Sequence, residues 1–134
     1  MEQGVDTVFG LLAGGLLPIY DGIFDVEDRL RVIGGRHESA LGYMADGYAR
    51  ACGRPGVFLT IGGPGAANAM GSLGESWASN VPVLEITHNV ALADIDKNMR
   101  ILHQPHDQAG MLRHVADNVV TATRPEDIPR VLQE

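Results

Sequence analysis

The chain of 134 residues is long enough for one domain with a real core and too short for two. Its 17 acidic against 10 basic residues, a formal net charge of −7, and the lack of any basic cluster interleaved with aromatics argue against a nucleic-acid surface. Cys52 is the single cysteine, which forbids an internal disulfide and suits a reducing compartment. No apolar run reaches the roughly 18 residues that cross a bilayer, and Met1-Glu2-Gln3-Gly4 carries no leader pattern, so a cytoplasmic location with no membrane partner is expected.

In chain order, Val5-Asp6-Thr7-Val8-Phe9 alternates apolar and polar residues before Gly10 and the pair Gly14-Gly15, which predicts a short strand entering a glycine turn. Apolar residues at 16, 19, 20, 23 and 24 then recur with the period of a helix face, and Pro18 sits where a first turn tolerates it. Leu30-Arg31-Val32-Ile33 reads as a second strand. The helix after it sets Leu41, Met44, Ala45, Tyr48 and Cys52 on one side and an Asp46–Arg50 pair, four residues apart, on the other. Val57-Phe58-Leu59-Thr60-Ile61 is a third strand, stopped by Gly62-Gly63-Pro64-Gly65, and residues 66–79 form a helix with Met70, Leu73 and Trp77 along one stripe. Val83-Leu84-Glu85-Ile86-Thr87 is a fourth strand, residues 88–107 a polar connection, and Val119-Val120-Thr121-Ala122 a fifth strand. Pro125-Glu126-Asp127 opens a last helix.

Short apolar strands alternating with helices predict an α/β fold of three layers, a mostly parallel sheet with helices on both faces. Ligands in such sheets gather at the carboxyl ends of the strands, here residues 10–15, 34–38, 62–68 and 87–89. Gly42, Gly47, Gly71 and Gly74 lie inside helices, where each costs about 1 kcal/mol against alanine, so close helix approach and a self-association face are expected.

Three constellations could carry chemistry. Gly63-Pro64-Gly65-Ala66-Ala67-Asn68 lies between strand and helix like a dinucleotide fingerprint, but Asn68 replaces the third glycine, the loop follows the third strand, and Glu85 lies inside a strand. His103-Gln104-Pro105-His106-Asp107 offers two histidines and a carboxylate, yet Pro105 breaks the helix that would present both rings together, so no metal site is expected. His88 and His114 read as ordinary surface or core histidines. Glu38 opens a helix at the ligand end of the sheet, where an apolar neighbour could bury it, and burial lets a carboxylate share a proton with a ligand nitrogen.

Taken together, Gly4-Val5-Asp6-Thr7-Val8-Phe9-Gly10, Arg36-His37-Glu38 leading into Tyr43-Met44-Ala45-Asp46-Gly47-Tyr48-Ala49-Arg50, Gly63-Pro64-Gly65-Ala66-Ala67-Asn68 and Ser79-Asn80-Val81-Pro82-Val83-Leu84-Glu85-Ile86-Thr87 resemble the pyrimidine-binding domain of thiamine diphosphate enzymes, in the acetolactate synthase and pyruvate decarboxylase group. The resemblance implies that Glu38 hydrogen-bonds ring nitrogen 1′ of the cofactor's aminopyrimidine and so promotes proton removal from thiazolium carbon 2, toward attack on a 2-oxo acid. It implies that Pro64, Gly65 and Asn68 border the aminopyrimidine, that Gly14 and Gly15 flank the reacting carbon, and that Gln104, preceded by His103, faces the thiazolium. Leu11-Leu12 stands where the group has an aromatic-proline lead-in, and His103 where synthases often carry phenylalanine, so decarboxylase and carboligase both stay open.

The same resemblance implies a single pyrimidine-binding domain over residues 1–134, cut short at both ends. The diphosphate and its magnesium would be held by a second domain, in the same chain or another, and the active site would form in a homodimer or higher oligomer. A non-catalytic module that keeps only the fold and the dimer surface is the alternative, and a nucleotide-binding α/β domain a weaker one.

Overall fold

A computed structural model of the chain describes residues 3–133; Met1 and Glu2, part of the segment read above for a leader, and Glu134 lie outside it. Strands β1 (Thr7–Gly10), β2 (Arg31–Gly34), β3 (Gly56–Thr60) and β4 (Val83–Thr87) form one parallel sheet in the order β2-β1-β3-β4. Val8 pairs with Val32 on one side and Val57 on the other, and Phe58 lies beside Glu85. Parallel neighbours require a crossover, and each crossover here is a helix. α1 (Leu17–Phe24) follows β1, α2 (Glu38–Cys52) follows β2 and α3 (Pro64–Ala78) follows β3.

Side chains of successive strand residues point to opposite faces, so the central strand β3 feeds two cores. Val57 and Leu59 join Val8 and Leu16 beneath Ile19, Tyr20 and Ile23 of α1. Phe58 joins Phe9, Leu41, Ala45, Ala66, Ala69 and Leu73 beneath α2 and α3. The three-layer α/β arrangement with helices on both faces is the one expected from the sequence.

α2 and α3 lie against each other, and Gly42 is the reason they can. A β-carbon there would overlap the Ser72 side chain. One helical glycine is thus explained inside the chain rather than by a second copy, while Gly47 and Gly71 face open space. The expected Asp46–Arg50 pair forms at the same seam. Asp46 is buried, accepting from Ser76 Oγ at 2.9 Å as well as from Arg50 Nε at 2.6 Å, so the paired carboxylate also tethers α2 to α3. Trp77 leaves the expected stripe for the same geometric reason: Met70 and Leu73 turn inward, and the indole stands exposed, donating to Asp117 at 2.7 Å.

Residues 119–122 form no strand. Val119 packs on the core beneath α2 and α3, which anchors the run through a side chain rather than a backbone ladder. A short helix α4 (Gln108–Leu112), unforeseen, follows the polar connection and starts on Asp107, whose Oδ1 accepts from Gly110 N at 2.7 Å. The chain closes with a 3-10 turn at Pro125–Asp127 and α5 (Ile128–Val131), the last helix expected. Among the described residues no helix is long and apolar enough to cross a membrane.

Candidate functional site

The carboxyl ends of all four strands meet through side chains. At the β2 end, the His37 ring caps α2 by accepting from Ser39 N at 3.2 Å, and Glu38 is the first residue of the helix. A helix N-terminus favours a carboxylate in its first turn. Glu38 is only 9% exposed. Its Oε2 accepts from Asn68 Nδ2 at 3.0 Å, across from the first turns of α3. Its Oε1 faces Gly65, 3.2 Å from where a β-carbon would stand, and no donor among the described residues takes it. One carboxylate oxygen is held and the other is free at a glycine wall.

At the β3 end, Gly63 precedes α3 with φ 65°, in the left-handed region that favours glycine, and a β-carbon there would overlap the His103 carbonyl. Pro64 follows at the first helical turn, where its missing N–H costs nothing. The loop is fastened from a distance. Gly63 N donates to Gln108 Oε1 at 2.7 Å, Gln108 Nε2 donates to the His88 carbonyl at 2.9 Å, and Gly62 N donates to His88 Nδ1 at 3.2 Å. The His88 ring also covers Gly15 at the β1 end, where a β-carbon would overlap it.

Glu38, Gly65 and Asn68 are therefore brought together, and Gly15 joins Gly62 and Gly63 through His88. Gly14 beside it is exposed, with open space where a side chain would project. His103 contributes its backbone, at φ 66°, over the glycine loop. Gln104 is not joined to this group. Its amide closes the preceding loop, accepting from Ile101 N at 3.2 Å and donating to the Asp94 carbonyl at 3.1 Å.

Two residues at the strand tips escaped the sequence reading. His88, read as an ordinary histidine, is the first residue past β4, and that position at the ligand end of the sheet was its available signal. Gln108 is a buried amide on a short helix, 8% exposed, and only a polar residue among apolar neighbours at 109, 111 and 112 hinted at it. His106 Nδ1 lies 3.2 Å from Asn98 Oδ1, and among the described residues no group of three His, Cys, Asp or Glu is placed to hold a metal ion.

Charges elsewhere frame the site. Glu85 sits back from the tips in mid-strand; Thr60 donates to its Oε1, its Oε2 is buried without a partner, and burial pushes the carboxyl up to about 7 against that hydrogen bond. At the opposite end of the sheet, Asp6 is held down to about 2 by hydrogen bonds from Tyr48, Arg54 and Thr7, tying the start of β1 to the region after α2.

The chain is also similar to known proteins along nearly its whole length. Residues 1–111 match the family described as thiamine pyrophosphate enzyme, N-terminal TPP binding domain. The chain belongs to that family, and thiamine pyrophosphate is another name for thiamine diphosphate. Among curated relatives, it is 37% identical over 131 residues to the probable 2-ketoarginine decarboxylase AruI of Pseudomonas aeruginosa, covering 98% of this chain and 23% of the relative. It is 36% identical over 133 residues to the mitochondrial acetolactate synthase catalytic subunit of Saccharomyces cerevisiae, covering 99% and 19%. It is 37% identical over 134 residues to the acetolactate synthase isozyme 3 large subunit of Escherichia coli, covering 100% and 23%. The chain thus spans about a fifth of the length of these relatives.

Proposed function

We propose that the chain is the pyrimidine-binding half of a thiamine diphosphate-dependent carboligase or decarboxylase acting on a 2-oxo acid, active when joined to a diphosphate-binding domain. The observation that carries this reading is Glu38: a buried carboxylate with one oxygen fixed by Asn68 and the other free beside Gly65. That arrangement fits a ring nitrogen. A flat heterocycle needs a wall without side chains, which Gly65 supplies, and a carboxylate able to hold or return a proton at nitrogen 1′, which Oε1 supplies. The cofactor, when bound, contributes the electron sink for carbon–carbon bond cleavage.

Each neighbouring residue has a task in this reading. Asn68 orients Glu38 so that its free oxygen points consistently at the ligand. Pro64 and Gly65 border the ring, and Gln108 keeps their loop from drifting by bonding Gly63 N. Gly14 leaves room for the reacting end of the cofactor and its substrate, and Gly15, its side-chain space taken by the His88 ring, borders it. His103 covers the glycine loop with its backbone, and Gln104 follows it on the same connection. Magnesium and diphosphate belong to the partner domain, and a second copy of the chain completes the assembly, in the cytoplasm. The relatives' names divide between a decarboxylase and synthases, which keeps both reaction outcomes within the proposal.

The test is Glu38→Gln in the assembled enzyme, because an amide fills the same volume and cannot share the proton. Turnover is expected to fall by roughly 10²-fold or more, with the circular dichroism spectrum and melting temperature unchanged. Near-normal turnover would remove Glu38 from the chemistry and the proposal with it.

A further inference from the structure

The His88 ring is hydrogen-bonded on one edge and, among the described residues, has no acceptor on the other. Its Nδ1 accepts the Gly62 N–H at 3.2 Å, and an imidazole nitrogen that accepts from a backbone N–H carries no proton of its own. In the neutral ring the proton is therefore on Nε2. The residue's carbonyl is held as well, by Gln108 Nε2 at 2.9 Å, so neither backbone nor ring is at liberty to turn. At the other edge, Cδ2 and Nε2 lie against Gly15, in the space a β-carbon would fill. No acceptor among the described residues takes the Nε2 proton. Gly14 and Gly15 are both exposed, so the donor edge borders an open turn at the ligand end of β1.

A positioned donor without a protein acceptor, on a turn stripped of side chains, is the form of a ligand contact. We propose that His88 Nε2–H donates to the carboxylate of the 2-oxo acid substrate, seated against Gly14 and Gly15, which makes His88 a specificity-determining residue. This rests on the site reading given above and adds to it the group that recognises the substrate's charge. A carboxylate is already an anion in the ground state, so the contact is made before and during reaction alike. Uniform binding of that kind is felt in KM and not in kcat.

Two substitutions separate recognition from mere support. His88→Asn retains an acceptor for Gly62 N and removes the Nε2 donor; His88→Gln places an amide donor near the Nε2 position and gives up the Gly62 contact. In the assembled enzyme, with pyruvate and 2-ketoarginine as probe substrates, His88→Asn is expected to raise KM about tenfold or more, the loss typical of a hydrogen bond to a charged group, with kcat within about twofold. His88→Gln is expected to keep KM close to that of the parent. The reverse order, with Asn normal and Gln impaired, would mean that His88 only fastens Gly62 and would overturn the proposal, as would a loss confined to kcat. Independently of activity, long-range nitrogen–proton NMR on the labelled chain is expected to find the proton on Nε2; a proton on Nδ1 overturns it too. Glu38→Gln run in parallel distinguishes the failures. Normal turnover in that variant sinks the site reading itself, whereas lost turnover there with parental KM in both His88 variants sinks only the role of His88.

Discussion

Glu85 lies on β4 beside Phe58, with one oxygen bonded to Thr60 and the other buried alone. Its value of about 7 lies above the ordinary 4.5, so the folded chain binds this proton more tightly than the unfolded one. The resulting stability is fully present below about pH 4.5 and is lost as pH rises through about 7. Asp6 works in the other direction, its contribution being present above 3.8 and lost as pH falls through about 2, so it leaves the neutral range untouched. Urea unfolding between pH 5 and 8 is therefore expected to lose stability of the order of 3 kcal/mol in the parent, and little in Glu85→Gln, whose amide stays neutral. Equal slopes for the two chains would refute the assignment. Glu38 was legible in the sequence because a charge opening a helix right after an apolar strand is a local signal. His88 and Gln108 were not, because their partners are 26 and 45 residues away in the chain and no periodicity encodes such a contact.

The helices α2 and α3 permit a sharper contrast between two glycines of one helix. At Gly42 an added methyl would strike the Ser72 side chain, whereas at Gly47 it would meet nothing within 4 Å. Both gain helix propensity from alanine, about 1 kcal/mol each. Gly47→Ala is expected to raise stability by up to that amount, and Gly42→Ala to lower it by up to about 2 kcal/mol, since overpacking of about 1–3 kcal/mol outweighs the same gain. Urea denaturation of the two variants measures this, and a shift of the same sign in both would show that the seam yields freely. Of the elements, β4 runs over Val83–Thr87 as its apolar run predicted, and β3 over Gly56–Thr60, one residue early. The β-branched run at 119–122 had the composition of a strand without a neighbour to pair with, and composition alone cannot supply one. The Asp46–Arg50 pair formed as expected, and its further contact with Ser76 was not legible because an i, i+4 ion pair looks the same in sequence whether it faces water or another helix.

At the scale of the whole molecule, the parallel sheet places every tip at one end, so residues from four separate loops gather there. The alternation of strands and helices conveyed that much before any coordinates. The outer face of α2 and α3 is one of the surfaces left uncovered among the described residues, with Tyr43 51% exposed and Gly47, Gly71 and Glu75 also at the surface. Because Gly47 and Gly71 answer to no neighbour within the chain, they suit a second copy approaching closely across this face. Sedimentation is expected to find self-association at micromolar concentration, abolished by Gly47→Glu with Gly71→Glu, changes that the open space around both positions tolerates. A parent that stays monomeric throughout that range would count against the interface.

The clasp formed by Gln108 also sets a timetable. A chain leaves the ribosome amino end first, so the strands and both large helices are available before the residue that fastens their glycine loop. Until Gln108 emerges from the exit tunnel, the Gly63 amide has no acceptor from it and the His88 carbonyl no donor. A nascent polypeptide halted shortly before that point would carry the scaffold with an unfinished mouth, its latch fastened only once Gln108 had been translated.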